Sequence, residues 1–282
     1  MKITRRHSIG IIGGTGRTGA QFAKLFRDLG FTVSVTDDRT KRKNAALLRR
    51  SDIVLFALPL SGAANLMRSV LKEGTRKDQL FLDVSSLKSR ETEAMLTAKG
   101  DVIGMHPLFG PSTDPQGERI ILCPARASRE TMGSLVALLR RMGLKTIILT
   151  ASEHDKLMAT VQVVPHFKSL LMADVLRLRK TDLSAVLGMC TPSYEMEFNV
   201  LGRFLDDHPD LYMPILFRNP ETQKILRTMK NIIDEYLAIA ASGNLVTAER
   251  RYLACKKFFK PHLKRARRHS EACIRTLLSL SR

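Results

Sequence analysis

Seven short apolar runs in the first 150 residues, most of them separated by helix-length segments, restrict this chain to one broad architecture. The runs fall at 8–12, 31–35, 53–58, 80–84, 102–105, 120–123 and 146–149. Segments 18–29, 41–49, 62–71 and 129–142 can each hold a helix between them. This alternation predicts a mainly parallel sheet with helices on both faces, because parallel neighbours need a crossover. After about Thr150 the pattern changes. Residues 152–180 carry apolar side chains at helical spacing (Leu157, Val161, Val164, Phe167, Leu171), with Pro165 as a break. Helical stretches follow at 193–206, 209–217, 221–241, 245–259 and 262–280, punctuated by Asn219-Pro220 and Ser242-Gly243-Asn244.

The first run leads into Gly14-Thr15-Gly16-Arg17-Thr18-Gly19, which opens a helix. Glycines there permit a tight turn and let backbone approach a pyrophosphate, while the helix N-terminus supplies N–H groups and a favourable dipole. The alternative is a glycine turn without a ligand. Asp37, at the end of the second run, follows Gly19 by 18 residues, near the spacing of a carboxylate that holds the adenosine ribose. Such a carboxylate repels a 2′-phosphate and favours NAD. Arg39, Lys41 and Arg42 nearby pull the other way and keep NADP open. The expected fold is therefore α/β plus all-α. Residues 1–150 form a Rossmann-like, doubly wound, dinucleotide-binding sheet, and residues 151–282 form a helical substrate and dimerisation domain.

Three further segments stand out: Asp83-Val84-Ser85-Ser86-Leu87-Lys88, Gly104-Met105-His106-Pro107-Leu108-Phe109-Gly110-Pro111, and Gln162-Val163-Val164-Pro165-His166-Phe167. The first two lie just past the fourth and fifth runs, where carboxyl ends of strands border the ligand crevice of an open sheet. A histidine there, His106, is suited to take a hydroxyl proton while hydride leaves the same carbon. Ser86 also suits a helix cap. His154, beside Asp155, reads as structural.

Together with Glu153-His154-Asp155, Ser193-Tyr194-Glu195-Met196-Glu197, Gly202-Arg203-Phe204 and His208-Pro209-Asp210-Leu211-Tyr212, these motifs resemble the prephenate dehydrogenases. The resemblance runs from about residue 8 to beyond 235. It implies oxidative decarboxylation of prephenate to 4-hydroxyphenylpyruvate with reduction of NAD, a step of tyrosine biosynthesis. It further implies that His106 is the catalytic histidine and that Ser86 hydrogen-bonds near it and the nicotinamide. Arg203 then binds a substrate carboxylate, His166 is a second substrate-site histidine, and Gln162 and Lys88 join them at the substrate. The competing readings are an arogenate dehydrogenase using NAD or NADP, and a basic, non-catalytic protein that binds a dinucleotide or nucleic acid.

The net charge of +19 bears on that last reading. Residues 1–150 carry 25 Lys and Arg against 13 Asp and Glu, and residues 151–282 carry 21 against 14. The excess is spread along the chain, not gathered into an arm, so nucleic acid is not the expected partner. The densest run, Lys256-Lys257-Phe258-Phe259-Lys260 through Arg267-Arg268, reads as a solvated helix face. Four scattered cysteines (Cys123, Cys190, Cys255, Cys273) make neither a disulfide framework nor a zinc site, and no metal is expected. Without a leader-like segment or an apolar run of roughly 18–20 residues, a soluble cytoplasmic protein is predicted. Apolar helices with no sheet to cover predict a homodimer through the helical domain, with the active site in the cleft between the domains.

Overall fold

The computed structural model describes residues 1–37 and 41–280, and at positions 41 and 42 the backbone alone. The first half alternates β1 (Ile9–Ile12), α1 (Arg17–Asp28), β2 (Val33–Thr36), α2 (Lys41–Arg50), β3 (Ile53–Phe56), α3 (Ala63–Leu71) and β4 (Leu80–Asp83). It continues with α4 (Ser89–Met95), β5 (Asp101–Pro107), β6 (Arg119–Arg126), α5 (Arg129–Arg141), β7 (Lys145–Ile148) and α6 (Ala151–Met158). All seven expected strands are present, in the order β2-β1-β3-β4-β5-β6-β7. Every pairing is parallel except β5 with β6. The short connection between those two strands holds no helix, so it supplies no crossover and the chain turns back antiparallel.

Alternation along the strands divides the core into two layers. Ile9, Ile11, Ile53, Leu55, Leu80 and Leu82 face one side, where Phe22 and Phe26 of α1 and Leu135 of α5 cover them. Ile12, Val54, Phe56 and Phe81 face the other, beneath Leu48 of α2, Met67 of α3 and Met95 of α4. Strands buried on both faces read as continuous apolar runs, as the four-residue β1 and β3 do. Each buried phenylalanine contributes about 1.5–3 kcal/mol of transfer free energy.

After a π-helical turn at Ala159–Val163 come α7 (Val164–Leu178), α8 (Leu183–Gly188), α9 (Pro192–Asp206) and α10 (Pro209–Arg218). The chain ends in α11 (Thr222–Ser242), α12 (Leu245–Phe259) and α13 (Leu263–Leu280). The break expected at Pro165 thus falls earlier, in the π turn. Pro165 itself stands in the first turn of α7, directly after that π turn. The short helices α4 and α8 have too few residues to show a period in the sequence.

Two compact units result: Met1–Val161 with Asp210–Pro220, and Gln162–Pro209 with the described residues from Glu221 onward. The compact units thus group α6 and nearly all of α10 with the sheet, beyond the expected cut at residue 150. Within the helical unit α9 packs on α7 and α13. Large apolar side chains remain exposed on α11 and α12, among them Leu237, Leu245, Val246 and Leu253. The basic run of α12 and α13 is exposed throughout, as expected of a solvated face. No helix among the described residues is long and apolar enough to cross a membrane.

The chain turns out of β1 through Gly13, which has φ +83° and would drive a Cβ into the Ala57 carbonyl oxygen. Gly13→Ala should cost ~2–3 kcal/mol of stability from the left-handed backbone and that collision. An unchanged urea midpoint would contradict this account of the turn.

Candidate active site

β1 leads to β2 on one side and its other neighbour is β3, so the order reverses at the carboxyl ends of β1 and β3 and leaves a crevice there. The N–H groups of Gly13 and Gly14 both donate to the Thr36 carbonyl, which fixes the glycine loop to the end of β2. Gly14 packs on Val35 and does not border the crevice. Gly16 caps α1, and a Cβ there would meet nothing nearer than 3.4 Å. The fold does not require glycine at that position, and the bare backbone leaves room for a ligand to approach closely. A cavity of about 470 Å³ lies against Thr15, Gly16, Arg17, Thr18, Gly19 and Ser86. Open backbone at Gly16, the N-terminus of α1 and a cavity of this size fit the pyrophosphate of a dinucleotide. Asp37 is half-buried just past β2. Arg39, expected to weigh on cofactor choice, lies outside the described residues, as do the side chains of Lys41 and Arg42.

Beneath the crevice lies a buried polar cluster. The Lys88 ammonium is fully enclosed and donates to Asp83 Oδ2 at 2.5 Å and to the Met105 carbonyl at 2.8 Å. This corrects its expected place at the substrate. An ammonium with no exposed surface, spent on a carboxylate and a carbonyl, acts as an internal counter-charge. Ser86 does not cap α4 either. Asp155 does so from a distance, accepting from the N–H groups of Lys88 and Ser89, each at 3.0 Å, and from Ser89 Oγ at 2.5 Å.

Asp155 also accepts from its neighbour His154, whose Nδ1 lies 2.8 Å from Oδ1. His154 Nε2 in turn lies 2.8 Å from His106 Nδ1. His106 stands at the carboxyl end of β5, opposite Ile121, and is 3% exposed. Its pKa lies well below the ordinary 6.5, through burial first, then His154 and the Lys88 charge, against the pull of Asp155. Burial raises the Asp155 carboxyl, but hydrogen bonds from His154, Ser89 and the Lys88 N–H outweigh it and hold the group ionised. Glu91, buried beside Asp83, is pushed up to about 7, chiefly by burial.

The remaining expected residues belong to the helical unit. His166 of α7 stacks on Phe204 of α9, with centroids 5.4 Å apart and planes within 17°. Burial lowers its pKa as well. Arg203 is exposed and faces α13 across a cavity of about 480 Å³, beside Asn199 and Thr276. Consecutive residues of α9 thus carry His166's stacking partner and the arginine, on adjacent faces. Gln162 is half-buried in the π turn.

Residues 17–149 match the family model described as prephenate dehydrogenase, nucleotide-binding domain, and residues 150–246 match the corresponding dimerization domain. The chain belongs to the prephenate dehydrogenase family. It is 27% identical to a probable arogenate/prephenate dehydrogenase of Methanocaldococcus jannaschii, over 96% of this chain and 65% of that protein. It is 24% identical to the T-protein of Enterobacter agglomerans, over 94% and 71% of the two chains. This chain therefore spans about two thirds of the length of those relatives. The crystal structure of Aquifex aeolicus prephenate dehydrogenase with hydroxyphenyl propionate and NAD+ has the same fold. Its TM-score is 0.70 at 17% identity, covering 89% of this chain and 97% of that one.

The sequence alone assigns His154 a structural place and gives no role to Asp210 and Leu211 of α10, which border the cavity at the glycine loop. All three lie inside the family motifs. The missing signal was a partner: His106 is 48 residues from His154, and no spacing rule reaches that far.

The buried ion pair gives a direct check on Lys88. Lys88→Met should destabilise the protein by ~3–5 kcal/mol, because it leaves the Asp83 charge enclosed and unpaired. Adding Asp83→Asn should restore most of the loss. A single variant with normal stability but poor substrate binding would return Lys88 to the substrate.

Proposed function

We propose that this chain is a prephenate dehydrogenase of tyrosine biosynthesis, using NAD to convert prephenate to 4-hydroxyphenylpyruvate and carbon dioxide. The observation that carries the reading is a buried histidine, held neutral, at the end of β5 in a unit whose glycine loop fits a dinucleotide. The two relatives named above, one carrying both substrates in its name, support it.

Thr15 to Gly19 and the N-terminus of α1 would hold the pyrophosphate, and Asp37 the adenosine ribose. Bound there, NAD supplies the hydride acceptor. His106 takes the proton of the ring hydroxyl as the C–H bond on the same carbon gives up its hydride. The bond from ring to carboxylate then breaks, its electron pair completes the aromatic ring, and carbon dioxide leaves. Ser86, on the loop between β4 and α4, orients the hydroxyl. Arg203 pairs with a substrate carboxylate through its planar fork, with His166 and Gln162 completing the substrate contacts. In this reading the helical domain carries substrate and pairs two subunits, covering the apolar surface of α11 and α12. Four free thiols suit a cytoplasmic setting.

Arogenate is the second reading, favoured by the Methanocaldococcus relative, whose name carries that substrate too. The purified protein should be assayed with prephenate and arogenate, each with NAD and NADP. The expected result is fastest turnover with prephenate and NAD, and arogenate as the better substrate would exchange the two readings. His106→Asn should lower kcat by on the order of 10²–10⁴ with little change in KM. Full activity in that variant would remove His106 from the chemistry.

A further inference from the structure

We infer that His154 and Asp155 are positioning residues that lock the tautomer of His106, keeping its hydrogen on Nδ1 and its basic lone pair on Nε2. The inference rests on the reading that His106 accepts the substrate proton. The hydrogen-bond chain runs inward from the carboxylate. Asp155 is ionised and can only accept. Its oxygens receive the N–H groups of Lys88 and Ser89, the Ser89 hydroxyl and His154 Nδ1. The hydrogen of a neutral His154 must therefore sit on Nδ1, which makes Nε2 an acceptor. His106 Nδ1, 2.8 Å away, has to be the donor, since two lone pairs cannot face each other at that distance. The lone pair of His106 is then fixed on Nε2.

The opposite arrangement requires a hydrogen on both nitrogens of His154, hence an imidazolium with no exposed surface in this buried cluster, and enclosing that cation carries a desolvation cost that the neutral ring avoids. Three carboxyls face this cluster. Asp83 is occupied by Lys88, Asp155 is already the acceptor of the chain, and burial favours the protonated form of Glu91. The chain also serves the reaction after the proton has moved. With a hydrogen on each nitrogen, His106 still donates from Nδ1 to His154, and the Asp155 charge at the far end offsets the new cation. An oriented histidine of this kind gains basicity and direction from the group behind it.

The test reads the tautomer directly. Long-range ¹H–¹⁵N correlation spectra of ¹⁵N-labelled protein distinguish an Nδ1–H imidazole from an Nε2–H one, and the signals missing in His106→Asn assign that ring. Wild-type His106 should be the Nδ1–H tautomer. His154→Phe should release it toward Nε2–H and lower kcat by on the order of 10–100-fold, with the KM for the dinucleotide unchanged. His154→Gln, whose amide oxygen can accept from Nδ1, should keep the tautomer and most of kcat. An Nε2–H tautomer in the wild type overturns the inference, as does a folded His154→Phe variant that keeps both tautomer and rate. The spectrum is independent of turnover. If neither prephenate nor arogenate reacts, the functional reading fails while the tautomer is still measured. If the protein turns over but His106 carries Nε2–H, only the lock fails.

Discussion

The buried carboxylate of Asp155 is the interaction on which the site depends. It accepts two backbone N–H groups at the start of α4, the Ser89 hydroxyl and the His154 ring, and its own carbonyl accepts from Asn219 Nδ2 at 2.9 Å. One residue thus ties together α4, α6 and the chain leaving α10. Enclosing a carboxylate is costly unless its lone pairs are met. Here they are met by groups that also need partners, namely the unpaired N–H groups of a helix start. Removing Asp155 would leave several of these groups unsatisfied at once, so the helix and the histidine chain stand or fall together.

The same economy appears one layer below. Gly104, in β5, makes room for the Lys88–Asp83 pair, since a Cβ there would lie 3.0 Å from Lys88 Cδ and 3.2 Å from Asp83 Oδ1. The ion pair keeps an enclosed positive charge near His106, which together with burial favours the neutral imidazole a proton acceptor needs. At the surface, a net charge of +19 attracts anionic ligands. That attraction is screened beyond about 8–10 Å at physiological salt.

The fold was legible because strand burial writes itself into sequence as short apolar runs and helix crossovers as the gaps between them. The glycine loop was legible because its residue types follow from close backbone approach: a Cβ on Gly19 would collide with the Gly13 carbonyl oxygen, while Gly16 leaves its backbone open. The reversal of β6 and the π turn were not visible. The first depends on a missing crossover and the second on how α6 and α7 join, neither of which alters periodicity. Lys88 misled for a similar reason. A lysine near a strand end invites a substrate role, and only its place opposite Asp83, inside the sheet layer, shows the charge to be spent. His154 reads as structural in the sequence because its partner, His106, comes from a distant strand, β5, although the adjacent Asp155 hinted at an oriented ring.

In the proposed reaction His106 works as a buried, neutral base. The pH dependence of kcat/KM for prephenate tests it most directly. Protonating the base abolishes its function, so kcat/KM should fall as pH drops through the pKa of His106 in the free enzyme. Since that pKa is depressed below 6.5, the profile should stay level through pH 6.5 and fall only at lower pH. That acid limb should be missing from the residual activity of His106→Asn. An acid limb centred at or above 6.5, or one that persists in the asparagine variant, would contradict the account.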